Sequence, residues 1–314
     1  MTVAAALLLY VAAVLAIGPK LLVHITADGG APRLAIAAWI TAVVTVLGCS
    51  VAAVALLLIE AAGHWDSPDA LLVTCLERLR AILVGHAGWP ARIVATVAVA
   101  IAVGSLIAVV IRLSRALGRM RTHTFAHADA VRLVGRSHGS DVVVIEASEP
   151  AAYCVAGRPP AIVVTSAALA ALDESQLAAV VAHERAHLDG RHAYIVAAAR
   201  GLTAALPTCG LFASAASHIS SLLEMCADDA AARRHGRQPL LAGLLTLAGA
   251  TAPAQGLAAA GIAVLARAER LSKPPRRFAR IQTQVTLSGA VAAMAATPLA
   301  IVTLSLSGVL ICFA

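Results

Sequence analysis

The chain has 314 residues, 60% of them hydrophobic and only 13% charged, with a mean hydropathy of +0.85. Soluble domains usually carry about 25% charged residues, so this composition excludes an ordinary soluble protein and points to an integral membrane one. The net charge of +7 does not read as a footprint for direct nucleic-acid binding, because no zinc-finger spacing is present and no aromatic residues interleave with the basic ones.

Four stretches reach the ~20 apolar residues needed to cross about 30 Å of hydrocarbon. The first, about Val3 to Val23, has no basic n-region and no clear cleavage site, so it reads as a retained span with Lys20 snorkelling at one end. The second is Leu34 to Ala61 and the third Ile93 to Ile111. Between them, the loop Gly63 to Arg92 places Leu71, Leu72, Cys75, Leu76, Leu79, Ile82 and Leu83 at helical spacing, as an interfacial amphipathic helix would. The fourth span is about Val285 to Phe313. Basic clusters follow the third span (Arg112, Arg115, Arg119, Arg121) and precede the fourth (Lys273, Arg276, Arg277, Arg280). They suit anionic lipid contact, and the positive-inside rule puts both termini outside and everything from about Arg112 to Arg280 in the cytoplasm.

Within that central region, Asp141–Ala147 and Ala161–Ala167 are β-branched runs bounded by turn residues, and the run "AAYCVAG" between them suits a third strand. Asp173 with Gln176 resembles a capping box, opening a helix from about Glu174 that stops at Gly190. Ala193–Ala216 is apolar but interrupted by Arg200, Pro207 and Gly210; it suits a surface-lying or re-entrant hairpin, with two further spans as the alternative. Helices are expected over about Ile219–Arg234, Leu240–Ala252 and Gly256–Leu271. The six cysteines form no CxxC pair, so neither a disulfide framework nor a structural zinc ribbon is indicated.

The helix ending at Gly190 contains His183-Glu184-Arg185-Ala186-His187, an HExxH pattern. Residues four apart on a helix lie about 40° apart on the wheel, so His183 and His187 share a face and can offer two imidazoles to one ion. Glu184 stands beside that face, where it can take a proton from an attacking water as general base. Two histidines and one further ligand leave zinc an open position, which is the catalytic arrangement. For the third ligand, His192 sits one residue short of the metzincin position and reads as a surface or membrane-edge histidine. Glu224 and Asp228, four apart in the otherwise apolar "SSLLEMCADDAAA", suit a ligand and a carboxylate that steadies a ligand histidine. Asp229 reads as part of a solvated face.

His183-Glu184-x-x-His187 followed by Glu224-x-x-Ala227-Asp228 resembles the gluzincin membrane peptidases, as does the stretch from Glu149 to His187 that leads into it. Two families share these features: the HtpX and CAAX-prenyl-protease family, and the BlaR/MecR antirepressor metallopeptidases. Three spans before the domain, one after it and the segment "RAERLSKPP" are more similar to BlaR/MecR. The resemblance implies a mainly α membrane protein of about four transmembrane helices with a cytoplasmic α+β zinc peptidase domain. It divides the chain into an N-terminal membrane region (1–111), a metallopeptidase domain (112–280) and a C-terminal transmembrane helix (281–314). It also implies one zinc per chain and an edge strand for extended substrate, for which Ala151, Ala152, Tyr153, Cys154, Val155 and Ala156 are the candidates. His218, Tyr194 and Arg233 are candidate donors to the transition state. BlaR/MecR sensors continue into an extracellular penicillin-binding domain; this sequence ends at Ala314 and holds no SxxK site, so sensing by acylation is not expected.

The function these features imply is a membrane zinc endopeptidase cutting a cytoplasmic protein, a small winged-helix transcriptional repressor being the leading substrate, in a signalling or antibiotic-resistance response. The alternatives are HtpX-like quality control of membrane proteins and a non-catalytic signalling protein with a structural zinc. Membrane lipids are expected partners, and a homodimer is compatible with the sequence.

Overall fold

The structure, a computed structural model, describes residues 3–27, 29–63, 89–138, 141–157, 159–250, 257–273 and 276–307. The amphipathic pattern expected within Gly63–Arg92 lies almost wholly outside these residues.

Three helices among the described residues are long and apolar enough to cross a membrane, within α1 (Val3–Thr26), α2 (Pro32–Gly63) and the last helix, α10 (Arg277–Leu306). Large apolar side chains such as Leu9, Ile17, Val44, Ile59, Val285 and Leu299 face outward, as lipid-facing positions should. Their inner faces, with Leu7, Trp39 and Leu287 fully buried, form one apolar cluster. The chain is a multi-pass membrane protein. The expected third span, Ile93–Ile111, belongs to the continuous helix α3 (Trp89–Val134), which carries the following basic cluster without a break.

The remainder is a small mixed sheet with helices on both faces. Strands β1 (Arg136–Ser137), β2 (Val142–Ile145), β3 (Ala152–Val155) and β4 (Ala161–Thr165) lie in the order β1-β2-β4-β3. The β2–β4 pair is parallel and the other two are antiparallel, so β3 is an edge strand among the described residues. Alternation decides which face each side chain takes. Ile162, Val164, Val142 and Ala152 pack with Val180 of helix α5 (Glu174–Asp189), beyond the short helix α4 (Ser166–Ala171). Val163, Val143, Tyr153 and Val155 pack on Ala128 and Val131 at the end of α3. The three expected strands are present; β1 is too short to show a pattern in sequence.

Helix α6 (His192–Ala205) packs between α3 and α7 (Gly210–His235). At 14 residues it falls short of the ~20 needed to span, so 193–216 is a helical hairpin bent at Pro207 and adds no candidate span among the described residues. Helix α7 starts well before the expected Ile219 because Leu211, Phe212 and Ala215 bury against the spans. Its first half belongs to the membrane-side cluster and its second half to the peptidase core. Helices α8 (Arg237–Ala250) and α9 (Leu257–Ser272) close the fold over α5 and α7.

Candidate zinc centre

Helix α5 is set by its ends. Asp173 accepts from the Gln176 backbone N–H at 2.9 Å, and the Gln176 side chain accepts from the Asp173 N–H at 3.4 Å, a complete capping box. Burial of Val180 against the sheet contributes about 2 kcal/mol, and His183 and His187, on the same side of the helix as Val180, line one cavity with it. Arg185 donates to both carboxylate oxygens of Asp141 at 2.8 Å, tying the helix to the start of β2; this pair is a third exposed and adds little stability, about 0.5 kcal/mol.

The His183 and His187 Nε2 atoms are 3.1 Å apart. From α7, Glu224 Oε2 lies 3.5 Å from His183 Nε2 and Oε1 3.5 Å from His187 Nε2. Zinc with bonds of about 2.1 Å in tetrahedral geometry holds its ligand atoms about 3.4 Å apart, so these three groups fit it. Burial works against the charge on Glu224, but the two histidines and Arg267 outweigh it and hold its carboxyl well below the usual range.

Each ligand imidazole is steadied at its other nitrogen. His183 Nδ1 lies 3.1 Å from Asp228 Oδ1, an oblique approach that makes the contact a polar one short of a straight hydrogen bond. Asp228 is buried and is held in turn by Arg267, whose Nε and Nη2 donate to Oδ2 and Oδ1 at 2.9 and 2.7 Å. Arg267 Nη1 also lies 3.0 Å from Glu224 Oε2, and its Nη2 is 3.3 Å from His183 Nε2. His187 Nδ1 is 2.8 Å from Nδ1 of His192. Burial, then the neighbouring His187, pushes His192 down to about 4, so its ring is neutral at ordinary pH. With His187 offering Nε2 to a metal, its proton resides on Nδ1 and is donated to His192.

His192 is therefore not a ligand, and of the two places its spacing suggests it is not on the surface but buried, in a cavity lined also by Arg33 and Ile36 of the span α2. A tight turn returns it beneath His187: Arg191 adopts left-handed backbone geometry (φ 49°), and a side chain on Gly190 would collide with the His192 ring. Arg267 and His192 were the two groups missed in sequence. The available signals were a Gly-x-His turn directly after the motif, and two arginines three apart facing Asp228-Asp229. Asp229 is only partly exposed, and it accepts from Arg270 Nη2 at 2.9 Å. Arg270 also donates to the carbonyl of Gly29, whose positive φ makes the turn between α1 and α2.

Glu184 lines a cavity of about 470 Å³ with His183, His187 and Glu224. One wall is Pro150–Cys154, the edge strand; the other is Leu244, Leu247 and Ala248 of α8 with Val264 and Arg267 of α9. Burial pushes the Glu184 carboxyl up, opposed by the two histidines. The Cys154 thiol hydrogen-bonds Glu184; burial and that carboxylate push it up to about 12, so it stays protonated. Of the candidate strand Ala151–Ala156, Ala151 to Cys154 line the cleft, while Val155 packs against α3. The three candidate donors are not among the residues lining this cavity. His218 stacks on Trp39 of α2 with ring centroids 5.2 Å apart, Tyr194 is exposed on α6, and Arg233 lies near the end of α7 in a different cavity.

Residues 119–272 match the model of Peptidase family M48. The match begins within α3, ends with α9, and so contains the sheet, the ligand cluster and Arg267. No curated protein and no solved structure matches the chain.

Proposed function

We propose that this chain, which carries a family M48 peptidase domain over residues 119–272, is a membrane zinc endopeptidase of the HtpX and CAAX-prenyl-protease type that cuts an extended segment of a cytoplasmic protein. The observation that carries this reading is the 3.1–3.5 Å cluster of His183, His187 and Glu224 beside Glu184, beneath an edge strand. The substrate backbone adds to β3, which sets the scissile carbonyl over the ligand cluster. A zinc held by His183, His187 and Glu224 would supply Lewis acidity for that carbonyl and for the attacking water. Glu184 accepts the water proton and returns it to the leaving amine, so atoms and charge balance. Asp228 and His192 hold the two imidazoles in their working tautomers. Arg267 directs guanidinium N–H groups into the same cleft, which suits stabilisation of the developing oxyanion. A structural zinc would take a fourth protein ligand, and the described cluster has three.

The domain boundaries near 112 and 280 and the cytoplasmic placement rest on the flanking basic clusters and the positive-inside rule. A reporter active only in the cytoplasm should work when fused at Ser137 and fail at Ala314. As to substrate, the layout of spans before and after the domain supports a BlaR/MecR-like role, removal of a transcriptional repressor in response to a signal. The family match favours a second reading, HtpX-like clearance of damaged membrane proteins. Capture on a Glu184→Gln trap in cells separates them: a small winged-helix protein supports the first, a broad set of membrane proteins the second, and no captured protein with zinc retained would sink both.

A further inference from the structure

A cavity of about 570 Å³ lies on the other side of α5, between the peptidase core and the spans; of its lining only His192, which steadies His187, has a part in the proposed chemistry. Arg33, Arg233 and Arg234 line it. Arg33 sits in the first turn of the candidate span Pro32–Ile59, which places it at the membrane boundary. Arg233 and Arg234 end helix α7. Among the described residues none of the three has a hydrogen-bond or ion-pair partner, whereas Arg185, Arg267 and Arg270 each hold a carboxylate. One carboxylate, Asp189, shares the lining, so three cations against one anion leave two positive charges uncompensated. A smaller adjoining cavity of about 150 Å³ shares Arg33 and Arg233 and adds Arg280 from the start of α10. Its only carboxylate, Asp229, is already held by Arg270.

Apart from His192, the rest of the larger cavity is lined mainly by apolar side chains. Ile36, Ile195 and Leu223 line it, and all three belong to or pack on the membrane-side cluster. Leu223 precedes Arg233 by ten residues, about 15 Å along the axis of α7. A site with arginines at one end and membrane-continuous apolar wall at the other matches a phosphate joined to an acyl chain better than free phosphate. Guanidinium groups suit the phosphate because they offer paired donors in a fixed plane.

We propose that this cavity binds the phosphate headgroup of an anionic membrane phospholipid, with its first acyl segment along Ile36. The bound headgroup bridges Arg33 on α2 and Arg233 and Arg234 on α7. It thereby ties the helix that carries Glu224 and Asp228 to a membrane span, independently of which protein the peptidase cuts.

The test uses the full-length zinc-loaded protein in phosphatidylcholine nanodiscs, with and without phosphatidylglycerol, and reads thermal unfolding and lipid retention by native mass spectrometry. Phosphatidylglycerol should raise the melting temperature and stay bound. A triple variant Arg33→Gln, Arg233→Gln, Arg234→Gln should weaken that binding about a hundredfold while keeping its zinc, since each basic side chain near an anionic surface contributes about fivefold. Inorganic phosphate added to phosphatidylcholine discs should not reproduce the shift. An equal response of parent and variant would overturn the proposal, as would an equal effect of free phosphate. Should the triple variant not fold, a photoreactive phosphatidylglycerol on the parent protein decides: labelling should concentrate in the peptides holding 33–36 and 233–234, and labelling confined to other segments refutes the site.

Discussion

Helices α5 and α7 both reach the zinc cluster, yet they are built differently. Helix α5 closes its own N-terminus with a capping box, lies on the sheet through Val180, and carries His183, Glu184 and His187 within five residues. Its contribution depends on one local period. Helix α7 is shared between two environments: Leu211, Phe212 and Ile219 belong to the membrane-side cluster, while Asp228 is buried beside the ligands. Glu224 becomes useful only because the spans, the hairpin and α9 hold α7 across α5. Short-range pattern suffices for one half of the site, and tertiary packing has to supply the other.

The largest effects test the α5 half. His187→Ala should remove most of the zinc, from about one per chain, together with all proteolysis, read by metal analysis of purified protein. Glu184→Gln should keep the zinc and lower proteolysis by at least ~100-fold, the lower range for loss of a general base. A Glu184→Gln protein that cleaves at the parent rate would remove Glu184 from the mechanism and leave α5 as a metal-holding helix alone.

This contrast also explains what could be read before the fold was known. The HExxH face, the cap at Asp173 and the strands at 142–145, 152–155 and 161–165 are set by periods of two or four and by turn residues, so they are legible. Glu224 and Asp228 stand out as carboxylates four apart in an apolar run, which makes them candidates for the third ligand and its support, and the family resemblance strengthens their pairing with the histidines. Arg267 lies 84 residues from His183, and no local pattern marks which of many arginines faces a buried aspartate. His192 failed for another reason. Its spacing misses a ligand position by one residue, whereas its contact is with the far side of His187.

The next effects compare the two groups that steady the imidazoles. Asp228→Asn, acting from α7, should weaken zinc binding by 10–100-fold, the usual range for such partners, measured by competition with a chelator. His192→Ala, acting from the turn after α5, should fall near the lower end, about tenfold, because it replaces a neutral acceptor rather than a buried charge. If His192→Ala leaves zinc affinity unchanged, the 2.8 Å contact is packing and α5 needs no help at His187. Arg267→Gln should cost about 3 kcal/mol of stability by leaving Asp228 buried without a cationic partner, read by denaturant unfolding of the purified protein. A variant as stable as the parent would show that α7 does not depend on α9 at this point.

The smallest effect concerns the turn that lets α5 supply its own support. Arg191 holds a left-handed conformation that an L side chain disfavours by about 1 kcal/mol or slightly more. Glycine reaches it without that penalty but loses more freedom on folding, which offsets part of the gain. Arg191→Gly should therefore raise stability by less than about 1 kcal/mol, with zinc affinity unchanged because His192 keeps its place. Thermal unfolding with metal competition on the same sample checks both. A rise in stability accompanied by weaker zinc binding would mean that the strained turn presses His192 onto His187, and that relaxing it loosens the only one of the two imidazole supports that α5 does not borrow from α7.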